Sequence, residues 1–236
     1  MGEGIHSIGK GVRTDRSYLR DTDKGLNKQE AYTINKLEGK IRDRKTEKGY
    51  IVGPDGKVIA ESIKGDRDSA RFDSRDLVRA KDCVLTHNHP YVGKKGGLYD
   101  TLAGRVGVPF SDTDLINAVA HNLKEIRAVT PTYTYSIRRP KGGWGEPRAI
   151  AAELQQYGRN IVRTGAKYRA QQTDNILNVA KDIAKKKGMS GMSEALAYSD
   201  KRAKEISDRT NVGIQYGELK KLAKNLGWEF TRRKVK

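Results

Sequence analysis

Cys83-Val84-Leu85-Thr86-His87-Asn88-His89-Pro90 is the stretch on which the reading of this chain turns. It opens with a compact apolar and β-branched run, the signature of a short buried strand. Pro90 has no N–H to give to a ladder, so the strand stops there, at a sheet edge open to solvent or substrate. In an extended chain alternate side chains share a side. His87 and His89 therefore point together and Asn88 points away. The chain has four histidines, and two of them present imidazoles to one point, as a divalent metal ion demands. Partly exposed structural imidazoles are the competing reading.

Upstream, Ala31, Ile34, Leu37 and Ile41 recur at three- and four-residue intervals, which predicts an amphipathic helix over 26–45. Tyr50-Ile51-Val52 and Val58-Ile59-Ala60 flank Gly53-Pro54-Asp55-Gly56, the pattern of a hairpin. A charged stretch, Lys64 to Asp68, leads to a short helix or turn near 74–80. Downstream, the glycines at 93, 96, 97, 104 and 107 make 90–110 an inserted flap. Ser111 stands at an N-cap position, and Leu115, Ile116, Val119 and Leu123 place a helix over 112–124. Residues 126–137 read as one strand bent or edged at Pro131, and 138–147 as a Pro/Gly loop. From 147 the pattern is helical to about 225, with a short closing strand or tail at Trp228-Glu229-Phe230-Thr231. The expected fold class is α/β or α+β, a mixed sheet flanked by helices with a C-terminal helical extension. The expected organisation is a flexible arm over 1–25, a metal-binding domain over 26–146, and a basic helical extension over 147–236 packed on that domain.

Composition narrows the function classes. Lys+Arg number 47 against 29 Asp+Glu, a formal charge of +18 over 236 residues, which calls for an anionic partner. Residues 151–236 hold 19 Lys+Arg and 9 Asp+Glu, with their densest runs at Lys185-Lys186-Lys187 and Arg232-Arg233-Lys234. These two runs are the candidate contacts for nucleic acid or an acidic protein, against the plain alternative of solvated helix faces and a frayed end. Mean hydropathy is −0.77, and no window approaches the length of a membrane span. A single cysteine, Cys83, reads as a small buried hydrophobe, and a reducing, cytoplasm-like compartment is the expectation.

A third ligand is offered by Ser111-Asp112-Thr113-Asp114, with Asp114 at the third helical position able to face back toward the strand; Ser-x-x-Asp is equally a capping box. His-x-His, a spacer, then Ser-x-x-Asp resembles the motif of the JAMM (MPN/JAB) metalloproteases. The wording Asn-His-Pro is similar to their bacterial RadC-type and phage- or toxin-associated branches. The resemblance covers roughly 26–140, and its spacer here, 21 residues, is longer than is usual in the family. It implies one zinc held by His87, His89 and Asp114, a glutamate upstream as general acid/base, and Ser111 in support of the oxyanion. Glu47, just before Gly49-Tyr50-Ile51-Val52-Gly53, fits that glutamate best, with two competitors: Glu38, on the amphipathic helix where a charged residue is usually just solvated, and Glu61, in the second expected strand after the turn. The implied activity is hydrolysis of a peptide or isopeptide bond in a protein or peptide substrate. The alternative is a non-catalytic adaptor of the same fold, structural or nucleic-acid-binding, in a phage or other mobile element.

Overall fold

The computed structural model describes residues 23–66, 69–90, 109–187 and 212–235. Asn27 caps the first helix, α1 (Lys28–Ile41). Its side chain accepts from the Gln29 and Glu30 amides, and Glu30 returns the bond to the Asn27 amide. Strands β1 (Gly49–Val52) and β2 (Val58–Glu61) form the expected hairpin, followed by a second hairpin, β3 (Ile63–Asp66) and β4 (Ser69–Arg71). Then come α2 (Ser74–Val78), β5 (Val84–Asn88), α3 (Asp112–Ala120), β6 (Glu125–Val129), β7 (Tyr133–Arg138) and α4 (Pro147–Lys187). A helix over 212–226, α5, and β8 (Glu229–Lys234) complete it.

Among the described residues six strands make one mixed sheet in the order β2-β1-β5-β6-β7-β8, in which β5 and β6 are the parallel pair and the other neighbours run antiparallel. A parallel pair needs a crossover, and here the crossover carries α3 past the end of β5. Helix α1 covers one face of the sheet, where Ala31, Ile34 and Leu37 pack on Val52 and Val84. The opposite face is the larger core. Ile51, Leu85, Ile126, Ala128, Tyr135 and Ile137 meet Leu115 and Ala118 of α3, Ile150, Leu154 and Tyr157 of α4, and Leu219 and Leu222 of α5. Trp144 and Trp228 close its lower end edge to face, 5.0 Å apart, with Trp144 Nε1 donating to Leu123 O and Trp228 Nε1 to Trp144 O.

The turn of the first hairpin docks on the start of α1. Asn27 Nδ2 donates to Pro54 O and Thr33 Oγ1 to Gly56 O. Gly56 has φ +75°, and a Cβ there would stand 2.7 Å from the Gln29 backbone, so both conformation and space demand glycine.

Two expectations need correction, and one stretch for which the sequence predicts no element, 64–68, acquires one. Residues 126–137 are two strands rather than one bent strand. Thr130 reverses the chain by donating its amide to Tyr133 O while its hydroxyl accepts from the Tyr133 amide. The charged stretch at 64–68 contributes to the β3–β4 hairpin, apart from residues 67 and 68, which lie outside the described residues. Glu38, expected at a solvated position, is buried on the α1 side of the sheet. The arm before residue 23 and most of the 90–110 flap also lie outside the described residues.

On the α1 face a chain of charge replaces apolar packing. Arg127 is fully buried; its Nε donates to Glu38 Oε1 (2.6 Å), its Nη1 to Glu125 Oε1 (2.7 Å) and its Nη2 to Asp23 Oδ1 (3.2 Å). Thr86 Oγ1 adds a bond to Glu38, and Ser136 Oγ and Arg138 Nε add two to Glu125. Burial alone would push Arg127 toward losing its proton, but the charges of Glu38, Glu125 and Asp23 outweigh it and hold the proton more firmly than usual.

Candidate metal centre

The register of β5 sets the site. His87 lies opposite Gly49 on β1 and Ala128 on β6, on the face of Leu85 and of the larger core. Both neighbours are small, and a Cβ at Gly49 would meet Phe72 at 2.9 Å, so glycine there makes room for the Phe72 ring beside His87. Phe110 lies on another side, its ring centroid 6.5 Å from that of His87. His89, just past the strand end, is pinned by its amide donating to Val129 O.

Four side chains converge there. The Nε2 atoms of His87 and His89 are 2.9 Å apart. Asp114 places Oδ1 3.3 Å from His87 Nε2 and Oδ2 3.6 Å from His89 Nε2, and Glu47 Oε1 is 3.9 Å from His87 Nε2. One ligand atom each from Glu47, His87 and His89 fall within 4.8 Å of one another. Tetrahedral bonds of about 2.0–2.1 Å put neighbouring ligand atoms about 3.3 Å apart, which matches these separations. The other ring nitrogen of His87, Nδ1, is buried with no hydrogen-bond partner among the described residues, so it is Nε2 that faces the cluster. Two imidazole nitrogens and two carboxylates facing one point make a donor set that a divalent cation satisfies and that shared protons satisfy poorly. The residues present therefore fit a metal ion.

The two carboxylates differ in their surroundings. For Asp114 burial works to raise the pKa, but the charges and hydrogen bonds of His87 and His89 outweigh it and hold the carboxyl well below its ordinary range. For Glu47 burial prevails over the two histidines, and its carboxyl is raised although the Ala70 amide of β4 donates to it.

Helix α3 presents Asp114. Ser111 is its N-cap, and the capping box is complete: Asp114 N donates to Ser111 Oγ, and Ser111 N donates to Asp114 Oδ2 (2.8 Å). The Ser111 hydroxyl also bonds Asp114 Oδ2 at 2.8 Å. Capping and site membership are thus one arrangement, because the carboxylate that closes the cap is the one that faces both imidazoles. With its hydroxyl engaged in this way, Ser111 orients Asp114.

Asn88, on the opposite side of β5, holds the segment that carries Glu47. Its Oδ1 accepts from the Lys48 amide (2.7 Å), and its Nδ2 donates to Arg44 O (3.4 Å) and Thr46 O (3.3 Å). Arg42 ties the start of the same segment to Thr130 O, Tyr133 O and Thr134 Oγ1. Strand alternation sends Asn88 away from the histidines, but nothing local in the sequence says that it meets residues 44–48. Asn88→Ala removes all three bonds, which will raise hydrogen exchange at the Lys48 amide by on the order of tenfold to a hundredfold. Unchanged exchange at 44–48 would show that Arg42 suffices.

Compared with family models, curated proteins and solved structures, the chain matches none. The site is therefore read from its own residues. Of the other glutamates, Glu61 is exposed and pairs with Lys48, and Glu38 belongs to the Arg127 network on the far face of the sheet. His121 caps the C-terminus of α3, and Cys83 is buried with its thiol raised by burial. Among the basic candidates Lys185 is exposed, whereas the side chains of Lys186 and Lys187 lie outside the described ones. Arg232, Arg233 and Lys234 belong to an ordered edge strand, β8, where a frayed end was the plain alternative. No helix among the described residues is long and apolar enough to cross a membrane.

Proposed function

We propose that the chain is a zinc-dependent hydrolase of peptide or isopeptide bonds, with a site and fold of the JAMM (MPN/JAB) type. The observation that carries this reading is the convergence of Glu47, His87, His89 and Asp114 on one point, from the α1–β1 segment, the end of β5 and the first turn of α3. The element order supports it: a helix, a hairpin, then, after a second hairpin and a short helix, a strand that carries His87 and leads into His89, a crossover, and a capped helix bearing the aspartate.

His87, His89 and Asp114 are the ligands in this reading, because Asp114 lies 3.3 and 3.6 Å from the two imidazole nitrogens whereas Glu47 stands 3.9 Å from His87 and within 4.8 Å of His89. Zinc held there would supply a Lewis acid for the scissile carbonyl and would make water acidic enough to ionise near neutral pH. Glu47, buried beside the ligands and fixed by the Ala70 amide, takes a proton at its carboxylate as water attacks and returns it to the leaving nitrogen. Ser111 keeps Asp114 aimed through its amide and hydroxyl. Phe72 and Phe110 are the apolar neighbours of His87 on the inner side of the site.

The test is hydrolysis of a mixed peptide and isopeptide library by the zinc-loaded protein, beside Glu47→Gln. The wild type should cleave, and Glu47→Gln should keep its zinc while losing on the order of 10²–10⁴ of the rate. Cleavage unaltered in Glu47→Gln, or no cleavage by fully loaded wild type, would overturn the proposal.

A further inference from the structure

A second surface lies at the other end of the sheet, where β8 is the edge strand. On helix α5, Glu218 accepts from Asn160 Nδ2 and Asn225 Nδ2 donates to Glu153, so that flank faces α4. Tyr216 faces the other way, with its ring 5.6 Å from that of Phe230 on β8 and 4.0 Å from the Arg232 guanidinium. At 3.6 residues per turn Lys220 and Lys224 follow Tyr216 along this outer flank, and both are exposed. Gly213 and Gly217 fall on the same flank, with no atom within 4 Å of where a Cβ would stand, which leaves helix backbone open to close approach.

Strand β8 contributes the rest. Arg232 and Lys234 alternate with Arg233, so both project on the α5 side of the sheet, and both are exposed. The Arg232 guanidinium is fixed between the rings of Tyr216 and Tyr133, 4.0 and 4.8 Å from their centroids, and hydrogen-bonds the Tyr135 side chain. Among the described residues no carboxylate pairs with Lys220, Lys224, Arg232 or Lys234, whereas neighbouring Lys221 is paired with Glu218 and Arg138 with Glu229. The cations stand about 6.8 Å apart along the strand and about 6 Å apart along the helix, close to the step between neighbouring phosphates of a single strand.

We infer that the surface formed by the outer flank of α5 and the adjoining face of β8 binds single-stranded nucleic acid. Lys220, Lys224, Arg232 and Lys234 contact phosphates, and the half-buried faces of Tyr133 and Tyr216 offer stacking surface beside them. Aromatic faces together with an open glycine flank favour nucleic acid over an acidic polypeptide, which would use the charges alone. The inference does not depend on the metal site, which lies three strands away along the row His87, Ala128, Tyr135, Arg232.

The test measures fluorescence anisotropy of a labelled oligo-dT and an oligo-U on the full chain from 50 to 300 mM salt, with polyglutamate of equal charge as comparison. Lys220→Gln/Lys224→Gln, which touches only exposed side chains, should lower the slope of log K against log salt by about 1.4 and the affinity at low salt about tenfold. Adding Arg232→Gln and Lys234→Gln should roughly double the loss of slope. Lys185→Gln/Lys186→Gln/Lys187→Gln and His87→Ala should leave binding as it was, with circular dichroism confirming the fold of each variant. The inference is overturned by a wild type that binds neither oligonucleotide, by an unchanged slope in the α5 pair, by loss confined to the 185–187 variant, or by polyglutamate binding as tightly.

Discussion

On the zinc site proposed above, His87→Ala and Asp114→Ala will each take the protein from about one zinc per chain to less than about a tenth of that when it is purified without added metal. Each substitution removes one of the donor atoms that converge at 2.9 to 3.9 Å, and a site cut to two protein ligands loses on the order of 10²-fold or more in affinity. Asp114 has two roles, and they can be pulled apart. Asp114→Ala also breaks the reciprocal cap with Ser111, at about 1 kcal/mol of stability. Asp114→Asn keeps an oxygen for the Ser111 amide while surrendering the charge, so its metal should be lost with little change in melting temperature. Elemental mass spectrometry beside thermal melting in chelator reads both quantities. Retention of zinc in either alanine variant, or a wild type that takes up none after reconstitution, would remove the metal centre from the account.

Arg127→Ala will destabilise the fold by about 3–5 kcal/mol, the largest loss we expect from any single surface-neutral change, and will leave the chain largely unfolded at 37 °C if its stability is ordinary. The guanidinium is fully buried and donates to Glu38, Glu125 and Asp23, so its removal takes one shared cation from three buried carboxylates at once, of which Glu125 keeps Arg138 and Glu38 keeps the Thr86 hydroxyl. Arg127→Lys supplies the charge without the planar fork. It should recover part of the loss, since one ammonium cannot span groups contributed by α1, β6 and the residues before α1. Urea denaturation reads the difference. A midpoint for Arg127→Ala within experimental error of wild type would mean that the network adds nothing net to the fold.

That network marks the limit of what could be read from residues alone. The hairpin around Gly53–Gly56, the capped helix after Ser111 and the strand ending at His-x-His were legible, because each is specified by neighbours a few residues apart. The pairing of His87 with His89 followed from strand alternation and the nomination of Asp114 from a helix cap, whereas Glu47 was reached through the family resemblance alone. Arg127 and Glu38 were not legible. A charge alternating with Ile126 and Ala128 reads as the solvent face of a strand, yet helix α1 covers that face. A signal existed in α1, where Glu38 stands between Leu37 and Ile41 on the same buried stripe as Ile34. Likewise Thr130-Pro131-Thr132 held the reversal between β6 and β7, but Pro131 alone was weighed there, as a bend.

Strand β5 faces the histidine cluster on one side of the sheet and the Arg127 network on the other, with His87 toward the first and Thr86 toward the second. A slip of one residue against β1 or β6 would exchange the two. It would drive an imidazole against Glu38 and Arg127 and leave Thr86 and Asn88 facing Asp114, so both layers would be lost in a single misalignment. The polar cluster beneath the sheet therefore proofreads the alignment that the site above requires. Mild weakening, short of removing Arg127, should produce misaligned chains before unfolded ones, and such chains would betray themselves as a fraction without the proposed metal but with native-like β-sheet content.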